Sequence, residues 1–334
     1  MSTLGGTGPQ TQTRAGFLEI PTSVFIDRID LKMPALPSVA FYAINNDRLE
    51  KIRNAEQPYS TLALSAAKTI WIKEEDFHLI KGFTENLLTD PKLTESLSTQ
   101  TRMETLRKSS MAVMDELFSN PSPENITRSV KVVGSFVYTL MKEPQAYLYL
   151  TKLSSHDPYT LQHSVGTSVN CIMLAKKAGI TDAKELEQVG LAGLLHDIGK
   201  VKVRREIINK KGPLDELEWD EMRQHAQEGY ELVKDHPVLT ERTKQAIWHH
   251  HEDKNGTGYP SGLKSEETDL FAKIVCLCDV FNALTTDRTY SKARTPFDAF
   301  QLMREKLTHK IDNELFKKLV QVYGGKYESE AIAG

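Results

Sequence analysis

The chain has 334 residues, of which 40% are hydrophobic and 26% charged, and its formal net charge at pH 7 is −3. These values are typical of a soluble globular protein with up to two domains, and the near-neutral charge gives no electrostatic reason to expect a nucleic-acid polymer or a membrane surface as partner. The sequence lacks an uninterrupted apolar run of about 18 residues and a signal peptide, so neither a membrane span nor export is predicted. We therefore expect a cytoplasmic protein.

Residues 1–15 are rich in Gly, Ser, Thr and Gln, which predicts a disordered tail. Residues 16–82 contain short runs of aromatic and β-branched residues separated by Pro and Asn, which predicts a small β-rich domain. The predicted strands lie at residues 17–20, 24–26, 39–44 and 69–72. The sequence of this region shows no cofactor loop or ligand cluster, and its role is left open.

Residues 83–140 are predicted to form a helical linker region. Its main helix, at about residues 92–118, has an imperfect Leu and Met stripe. This stripe suits a connecting helix or a coiled-coil-like dimer contact, and the alternative is packing against its own domain. Ser122 followed by Pro123 is a good N-cap and first-turn pair for the next helix.

Residues 141–334 are predicted to form an all-α bundle of at least six helices. The clearest predicted helices occupy residues 157–178, with Gly179 as stop, 181–196, 215–234, 245–251 and 270–284. Asp215 and Glu218 have the spacing of a capping box. The three cysteines, Cys171, Cys276 and Cys278, form no CxxC pair, which favours reduced core thiols.

The motif HDIGK at residues 196–200 closes a buried apolar helix. Burying an imidazole and a carboxylate there is costly unless they are paired or bound to metal. Asp197 could bridge two ions, and Lys200 places a cation beside them, where an anionic substrate would lie. Taken alone, the motif is also typical of a polar helix end with a Gly stop.

Further imidazoles and carboxylates lie on separate predicted helices. They are His163, His225, His250, His251 and Asp279. Such groups converging in a bundle core commonly hold two divalent ions about 3.5–4 Å apart. Each histidine alone could be an ordinary core residue, the interpretation we give to His78, His156, His236 and His309. His249 is expected to face away from the metals.

The HDIGK motif, followed by the segment HHEDKNGTGYP at residues 250–260, resembles the HD-GYP family. This family comprises bacterial cyclic di-GMP phosphodiesterases within the HD metal-dependent phosphohydrolase superfamily. The resemblance extends from about residue 157 to about residue 316. It implies that residues 141–334 are an HD-type helical bundle that forms the catalytic domain, and it does not cover the N-terminal part. With the β-rich N-terminal domain predicted from its own sequence and joined to this bundle by helices, the expected fold is α+β overall. The resemblance further implies an enzyme that hydrolyses cyclic di-GMP to the linear dinucleotide and/or GMP in second-messenger signalling.

The resemblance also implies individual roles. The positions that match the family's binuclear metal ligands are His196, Asp197, His225, His250, His251 and Asp279, with Asp197 in the bridging place, and His163 matches a position that can serve an additional, third metal in some members. Asp197 and Lys200 match catalytic residues, and Lys200 would contact the scissile phosphate. The other implied substrate contacts are Arg288, Gly256, Gly258, Tyr259 and Pro260.

The implied cofactor is a pair of divalent ions, with iron or manganese favoured over zinc. Asn255, Asn282 and Tyr159 stand where the family can have acidic residues. The loss of two carboxylates from possible third-metal positions, at Asn282 and Tyr159, favours a two-metal site, and no third ion is expected. The implied partners are cyclic di-GMP and diguanylate cyclase (GGDEF) domain proteins at the Gly258-Tyr259-Pro260 loop. The dimer contact considered for the helix at residues 92–118 adds a homodimer as a further expected assembly.

Two alternatives stay open at this stage. A catalytically weak HD-GYP module could act as a cyclic dinucleotide sensor or a protein-interaction scaffold, and Asn255 and Asn282 leave room for this reading. A hydrolase of another cyclic dinucleotide is the second alternative, because the sequence does not fix the base preference.

Overall fold

The structure is a computed structural model, and it describes residues 17–21, 39–45, 48–53, 69–76, 99–147, 159–286, 292–308 and 310–332. Its internal contacts divide the chain into two units between Ser98 and Thr99. The predicted tail, the predicted strand at residues 24–26, and Arg288 lie outside the described residues. The domain limits drawn from the sequence stay predictions.

The first unit contains a four-stranded antiparallel sheet with the order β1-β4-β2-β3. Its strands are β1 (Phe17–Pro21), β2 (Phe41–Asn45), β3 (Arg48–Arg53) and β4 (Thr69–Lys73). Strands β1, β2 and β4 confirm three predicted runs. Strand β3 was not predicted, because its sequence RLEKIR lacks the aromatic and β-branched enrichment of the others. Its exposed charged residues suit its place at the sheet edge.

The described part of the second unit is helical. Its helices are α1 (Thr99–Ser119), α2 (Pro123–Lys142), α3 (Tyr159–Ala178), α4 (Ala183–Leu195), α5 (Arg205–Ile208), α6 (Glu216–Arg223), α7 (His225–Val233), α8 (Glu241–His249), α9 (Leu270–Thr285), α10 (Pro296–Lys306) and α11 (Asn313–Ile332). A short 3-10 helix, Ile198–Lys202, follows α4. None of the helices in the described ranges is long and apolar enough to cross a membrane.

Helix α4 lies at the centre of the bundle and packs against α2, α3, α8 and α9. It begins after Asp182, which acts as N-cap: its side chain accepts a hydrogen bond from the backbone N–H of Glu185. Its apolar residues, among them Leu191, Leu194 and Leu195, are fully buried. The helix ends at Leu195, and the HDIGK motif that follows is also buried from His196 to Gly199, with Lys200 partly exposed.

Two predicted helices differ from the structure. The capping box of Asp215 and Glu218 is confirmed, but the helix predicted to continue to Lys234 is two helices, α6 and α7, that meet at Gln224. The break arises because the backbone N–H of Gln224 bonds to the carbonyl of Glu221, three residues earlier, in a tighter turn. Helix α8 begins at residue 241, four residues before the predicted start, because Thr240 provides the N-cap.

The apolar stripe of α1 is buried, with Met103, Leu106, Met114 and Leu117 at most 1% exposed. It packs on α2 and α3 of the same unit. The alternative of packing within its own domain is therefore the one that the structure supports. The three cysteines are free, and Cys171 and Cys278 are buried, in agreement with the prediction of reduced core thiols.

Candidate metal centre

The residues predicted as metal ligands converge in the core of the bundle. His163 lies on α3, Asp279 on α9, and the others lie at the ends of α4 and α8 and the start of α7. Two groups of described residues have ligand atoms within 4.8 Å of one another: His163, His196 and Asp197, and His225, His250 and His251. The sequence predicted this proximity, whereas metal coordination by these residues stays a prediction.

Asp197 lies between the two groups. Its Oδ2 atom is 3.4 Å from Nε2 of His196, and its Oδ1 atom is 3.5 Å from Nε2 of His225. Asp279 lies beside the first group, with Oδ1 at 2.9 Å from Nε2 of His163 and 3.8 Å from Nε2 of His196. One carboxylate oxygen of Asp197 therefore faces each group, which is the arrangement that a bridging ligand requires.

Backbone carbonyl groups set the tautomer of three of these histidines. The Nδ1 atoms of His196, His225 and His250 lie 2.8, 2.6 and 2.8 Å from the carbonyl oxygen three residues earlier in each case. Because a carbonyl oxygen only accepts, each Nδ1 must carry the proton, which leaves a lone pair on each neutral Nε2. Metal-binding histidines are commonly oriented in this way.

The Nε2 atoms of His225 and His250 face other imidazole nitrogens. Nε2 of His225 lies 3.2 Å from Nε2 of both His250 and His251. His225 and His250 present lone pairs to each other, and two lone pairs cannot form a hydrogen bond. Nε2 of His196 is buried without a hydrogen-bond partner. A cation would satisfy all of these atoms, and the donor set of imidazoles and carboxylates therefore fits divalent metal ions.

The environment also favours metal-competent protonation states. Burial lowers the pKa of His225, His250 and His251, that of His251 to about 3, so these imidazoles are neutral at pH 7. His196 differs: burial acts against its charged form, but the charge and hydrogen bond of Asp197 together with the charge of Asp279 outweigh this effect and raise its pKa, which favours a proton on Nε2. An ion bound at His196 would take the place of that proton.

Both carboxyl groups are held in the ionised form. Burial opposes ionisation of Asp197, yet the ammonium of Lys200 together with His196 and His225 outweighs it and holds the Asp197 pKa well below its usual range. Burial likewise opposes ionisation of Asp279, and the hydrogen bond and charge of His163, together with His196 and His251, outweigh it and lower the pKa. Lys200 Nζ lies 2.6 Å from Asp197 Oδ2, and its side chain is 26% exposed, so the ammonium sits between the buried carboxylate and solvent.

Asn282 contacts His163. The amide oxygen of Asn282 lies 2.9 Å from Nδ1 of His163 and accepts a second hydrogen bond from the hydroxyl of Thr286. From the sequence, Asn282 was interpreted only as the loss of a carboxylate. Its position three residues after Asp279, on the same face of α9, is the signal that could have identified this contact.

The loop after His251 contains the predicted substrate contacts Gly256, Gly258, Tyr259 and Pro260. A side chain at Gly258 would overlap the carbonyl oxygen of His251, so the loop approaches the metal centre closely only because this residue is glycine. The Tyr259 ring stacks on the His251 ring with their centroids 4.6 Å apart. A role of this loop in substrate binding stays a prediction, as does that of Arg288.

The remaining histidines were predicted to lie outside the centre. His249 stacks on Trp248, with ring centroids 4.7 Å apart, and belongs to neither group of described ligand atoms. Nε2 of His236 lies 3.0 Å from the carbonyl oxygen of Pro123, a packing role. His78, His156 and His309 lie outside the described residues.

Gly199 joins the HDIGK motif to α7. A Cβ atom here would overlap the backbone carbonyl oxygen of His225 and the backbone nitrogen of Gly229, and neither atom can rotate away. We expect Gly199→Ala to lower the free energy of unfolding by about 3 kcal/mol, measured by urea denaturation. The control is Gly324→Ala, whose Cβ meets no atom within 4 Å. Equal stability of the two variants would contradict this packing.

The sequence of this chain is similar to those of known HD domains and phosphodiesterases. Residues 150–315 match the HD domain family. The chain is 37% identical over 193 residues to the cyclic di-GMP phosphodiesterase PA4108 of Pseudomonas aeruginosa, which covers 58% of this chain and 46% of that protein. It is 37% identical over 169 residues to the 3'3'-cGAMP-specific phosphodiesterase 3 of Vibrio cholerae, covering 50% and 36%. The chain thus spans less than half the length of these two relatives.

A solved structure extends the similarity to the fold. Bd1817, described as an HDG"Y"P protein from Bdellovibrio bacteriovorus, aligns with 92% of this chain and 99% of its own, at a TM-score of 0.64 and 21% identity. At that identity the likeness concerns the fold alone. The matched HD domain and the named relatives, rather than this structural likeness, identify residues 150–315 as an HD-GYP domain.

Proposed function

We propose that this chain is a metal-dependent phosphodiesterase that hydrolyses cyclic di-GMP to the linear dinucleotide and/or GMP. The observation that carries the proposal is the set of buried Nε2 lone pairs around the Asp197 carboxylate, with the Lys200 ammonium beside it. The printed names of several relatives, cyclic di-GMP phosphodiesterases, support this choice of substrate.

We propose two divalent ions. His196, Asp197 and Asp279 would hold one, with His163 as an additional ligand, and His225, His250 and His251 would hold the other, with Asp197 shared. The set of imidazoles and carboxylates, without thiolates, suits iron or manganese as well as zinc, and the family resemblance favours the first two. Bound ions of this kind supply activation of a water molecule and stabilisation of charge on a phosphoryl group.

The protein itself contributes charge and orientation. The carbonyl groups behind His196, His225 and His250 hold the proton on Nδ1 of each ring and fix the ring direction, so that the neutral form of each imidazole offers Nε2 as ligand atom. The partly exposed ammonium of Lys200 is placed to contact the scissile phosphate and to stabilise the negative charge that develops on it. Arg288 and the loop at residues 256–260 are proposed to contact the rest of the dinucleotide.

The direct test is turnover by protein purified anaerobically and loaded with Fe²⁺ or Mn²⁺. We expect chromatography to show conversion of cyclic di-GMP over time, and no conversion by a variant in which His250 and His251 are both alanine. His249→Ala is the matched control, since the adjacent His249 belongs to neither ligand group, and it should retain activity. Absence of turnover with both ions bound would instead favour the sensor or scaffold alternative.

A second substrate is supported by a specific comparison. The sequence identity to a relative named as 3'3'-cGAMP-specific is 37%, the same as the identity to the cyclic di-GMP phosphodiesterase PA4108. The same assay should therefore include 3'3'-cGAMP, and the ratio of the two kcat/KM values decides the preferred substrate.

The proposed GGDEF contact rests on the family resemblance, whereas the proposed homodimer and cytoplasmic location rest on the sequence analysis. We propose that the exposed Pro260 and Ser261 contact GGDEF domain proteins, that the chain forms a homodimer, and that it acts in the cytoplasm. Light scattering after size-exclusion chromatography, with and without a GGDEF domain protein, measures both assemblies. A monomer that does not bind the added protein would contradict both.

A further inference from the structure

His251 is held differently from the other four histidines of the metal centre. Each of those has its Nδ1 atom bonded to an oxygen: a backbone carbonyl for His196, His225 and His250, and the Asn282 amide for His163. His251 makes no such Nδ1 hydrogen bond to any residue that the structure describes. A histidine that binds metal normally needs an outer contact to fix its ring, and His251 must obtain that contact in another way.

The contact is the ring of Tyr259. It stacks on His251 with centroids 4.6 Å apart and planes 29° apart, and it meets His225 edge-on at 6.4 Å. The backbone N–H of Tyr259 also donates to the carbonyl of His251, at 3.1 Å. The aromatic ring therefore covers one face of the imidazole and limits the directions in which Nε2 can point.

The loop that contains Tyr259 is closed by a buried carboxylate. Glu252, which follows His251 directly, is 3% exposed, and its two oxygens accept hydrogen bonds from the backbone N–H groups of Ser261 and Leu263, at 2.6 and 2.9 Å. These bonds close the loop of residues 252–263 two residues beyond Tyr259. The absence of a side chain at Gly258 permits the close approach.

From these contacts we propose that Glu252 is a positioning residue. Its carboxylate closes the loop of residues 252–263, the closed loop presses the Tyr259 ring against His251, and the ring fixes His251 Nε2 at the metal centre. The inference rests on the metal centre of the proposed function, and it assigns to Tyr259 a role in orienting a ligand in addition to any contact with substrate.

The test measures metal affinity without activity. Co²⁺ is titrated into metal-free protein and followed by its visible absorption, which reports directly on imidazole ligation. Glu252→Ala is expected to weaken the binding of one of the two ions by about 10–100-fold, the range found when an outer contact of a metal ligand is lost. Glu252→Gln keeps one acceptor oxygen and should restore part of the affinity.

Glu267→Ala is the matched control. Glu267 lies in the following stretch of chain, is exposed, and also accepts a hydrogen bond from a backbone N–H, that of Lys264, at 3.0 Å. Its bond lies outside the loop that carries Tyr259, and its loss should leave the Co²⁺ titration as in the unmodified protein.

Two further variants test whether the effect passes through the ring. Tyr259→Phe retains the stacked ring and should bind Co²⁺ normally, whereas Tyr259→Ala should match Glu252→Ala. The double variant Glu252→Ala/Tyr259→Ala should be no weaker than either single variant, because both remove the same contact. If circular dichroism shows that Glu252→Ala does not fold, the comparison of Tyr259→Phe with Tyr259→Ala tests whether the ring orients His251.

Normal Co²⁺ affinity in folded Glu252→Ala or in Tyr259→Ala would overturn the proposal, and so would additive losses in the double variant. If the unmodified protein bound no Co²⁺, the metal centre of the proposed function would itself be wrong. That outcome is distinct from a normal metal centre that is insensitive to Glu252.

Discussion

Replacing Asp197 with alanine is expected to abolish both metal binding and turnover of cyclic di-GMP. Asp197 is 2% exposed, and its two oxygens face Nε2 of His196 and of His225 at 3.4 and 3.5 Å. Without it, ions at the two groups would lose their shared anionic ligand, and Lys200 would keep its positive charge beside them. We expect elemental analysis to find less than one ion per chain, and we expect turnover no higher than in a reaction without enzyme.

The control for this prediction is Asp235→Ala, which removes a carboxylate from an exposed position after α7. It should retain both ions and full activity. Circular dichroism of each variant separates loss of metal from loss of fold. Full turnover by folded Asp197→Ala would refute the assignment of the metal centre.

Replacing Lys200 with alanine is expected to lower kcat by about 10²–10³-fold while the ions stay bound, by analogy with the loss of one charge-stabilising donor. The Lys200 ammonium is 2.6 Å from Asp197, but 26% of the side chain is exposed and it is not a metal ligand. Its removal leaves the Asp197 carboxylate more available to a cation. Steady-state kinetics and elemental analysis on the same preparation check both parts of the prediction.

Lys202→Ala is the matched control, because it removes an exposed ammonium from the same short 3-10 helix. Its kcat should stay close to that of the unmodified protein. Loss of metal from Lys200→Ala would show that this lysine holds Asp197 in place and would contradict a role confined to the phosphate.

The fold was predictable from sequence where a local signal decides the structure. Asp182 begins α4, Asp215 and Glu218 form the capping box of α6, and Gly179 follows α3 with a φ of +108°. These features depend on residues a few positions apart. Strand β3 was missed because its edge position, and not its own composition, makes its charged sequence a strand.

The ligand set was predictable as a group, but its supporting contacts were not. Adjacency in the sequence keeps His196 with Asp197 and His250 with His251, and the family resemblance implies that these two pairs meet in one site. The bond from Asn282 to His163 spans 119 positions in the chain, and the contact of Tyr259 with His251 depends on how the loop folds back. Such contacts follow from tertiary packing, which the sequence pattern does not encode locally.

The measurement that tests the central claim most directly is X-ray anomalous scattering at the iron and manganese edges from crystals of the metal-loaded protein. The account predicts two ions about 3.5–4 Å apart, one beside His196 and Asp279 and one among His225, His250 and His251, with Asp197 between them. A single ion, or ions bound away from Asp197, would contradict the binuclear centre and the reaction proposed for it.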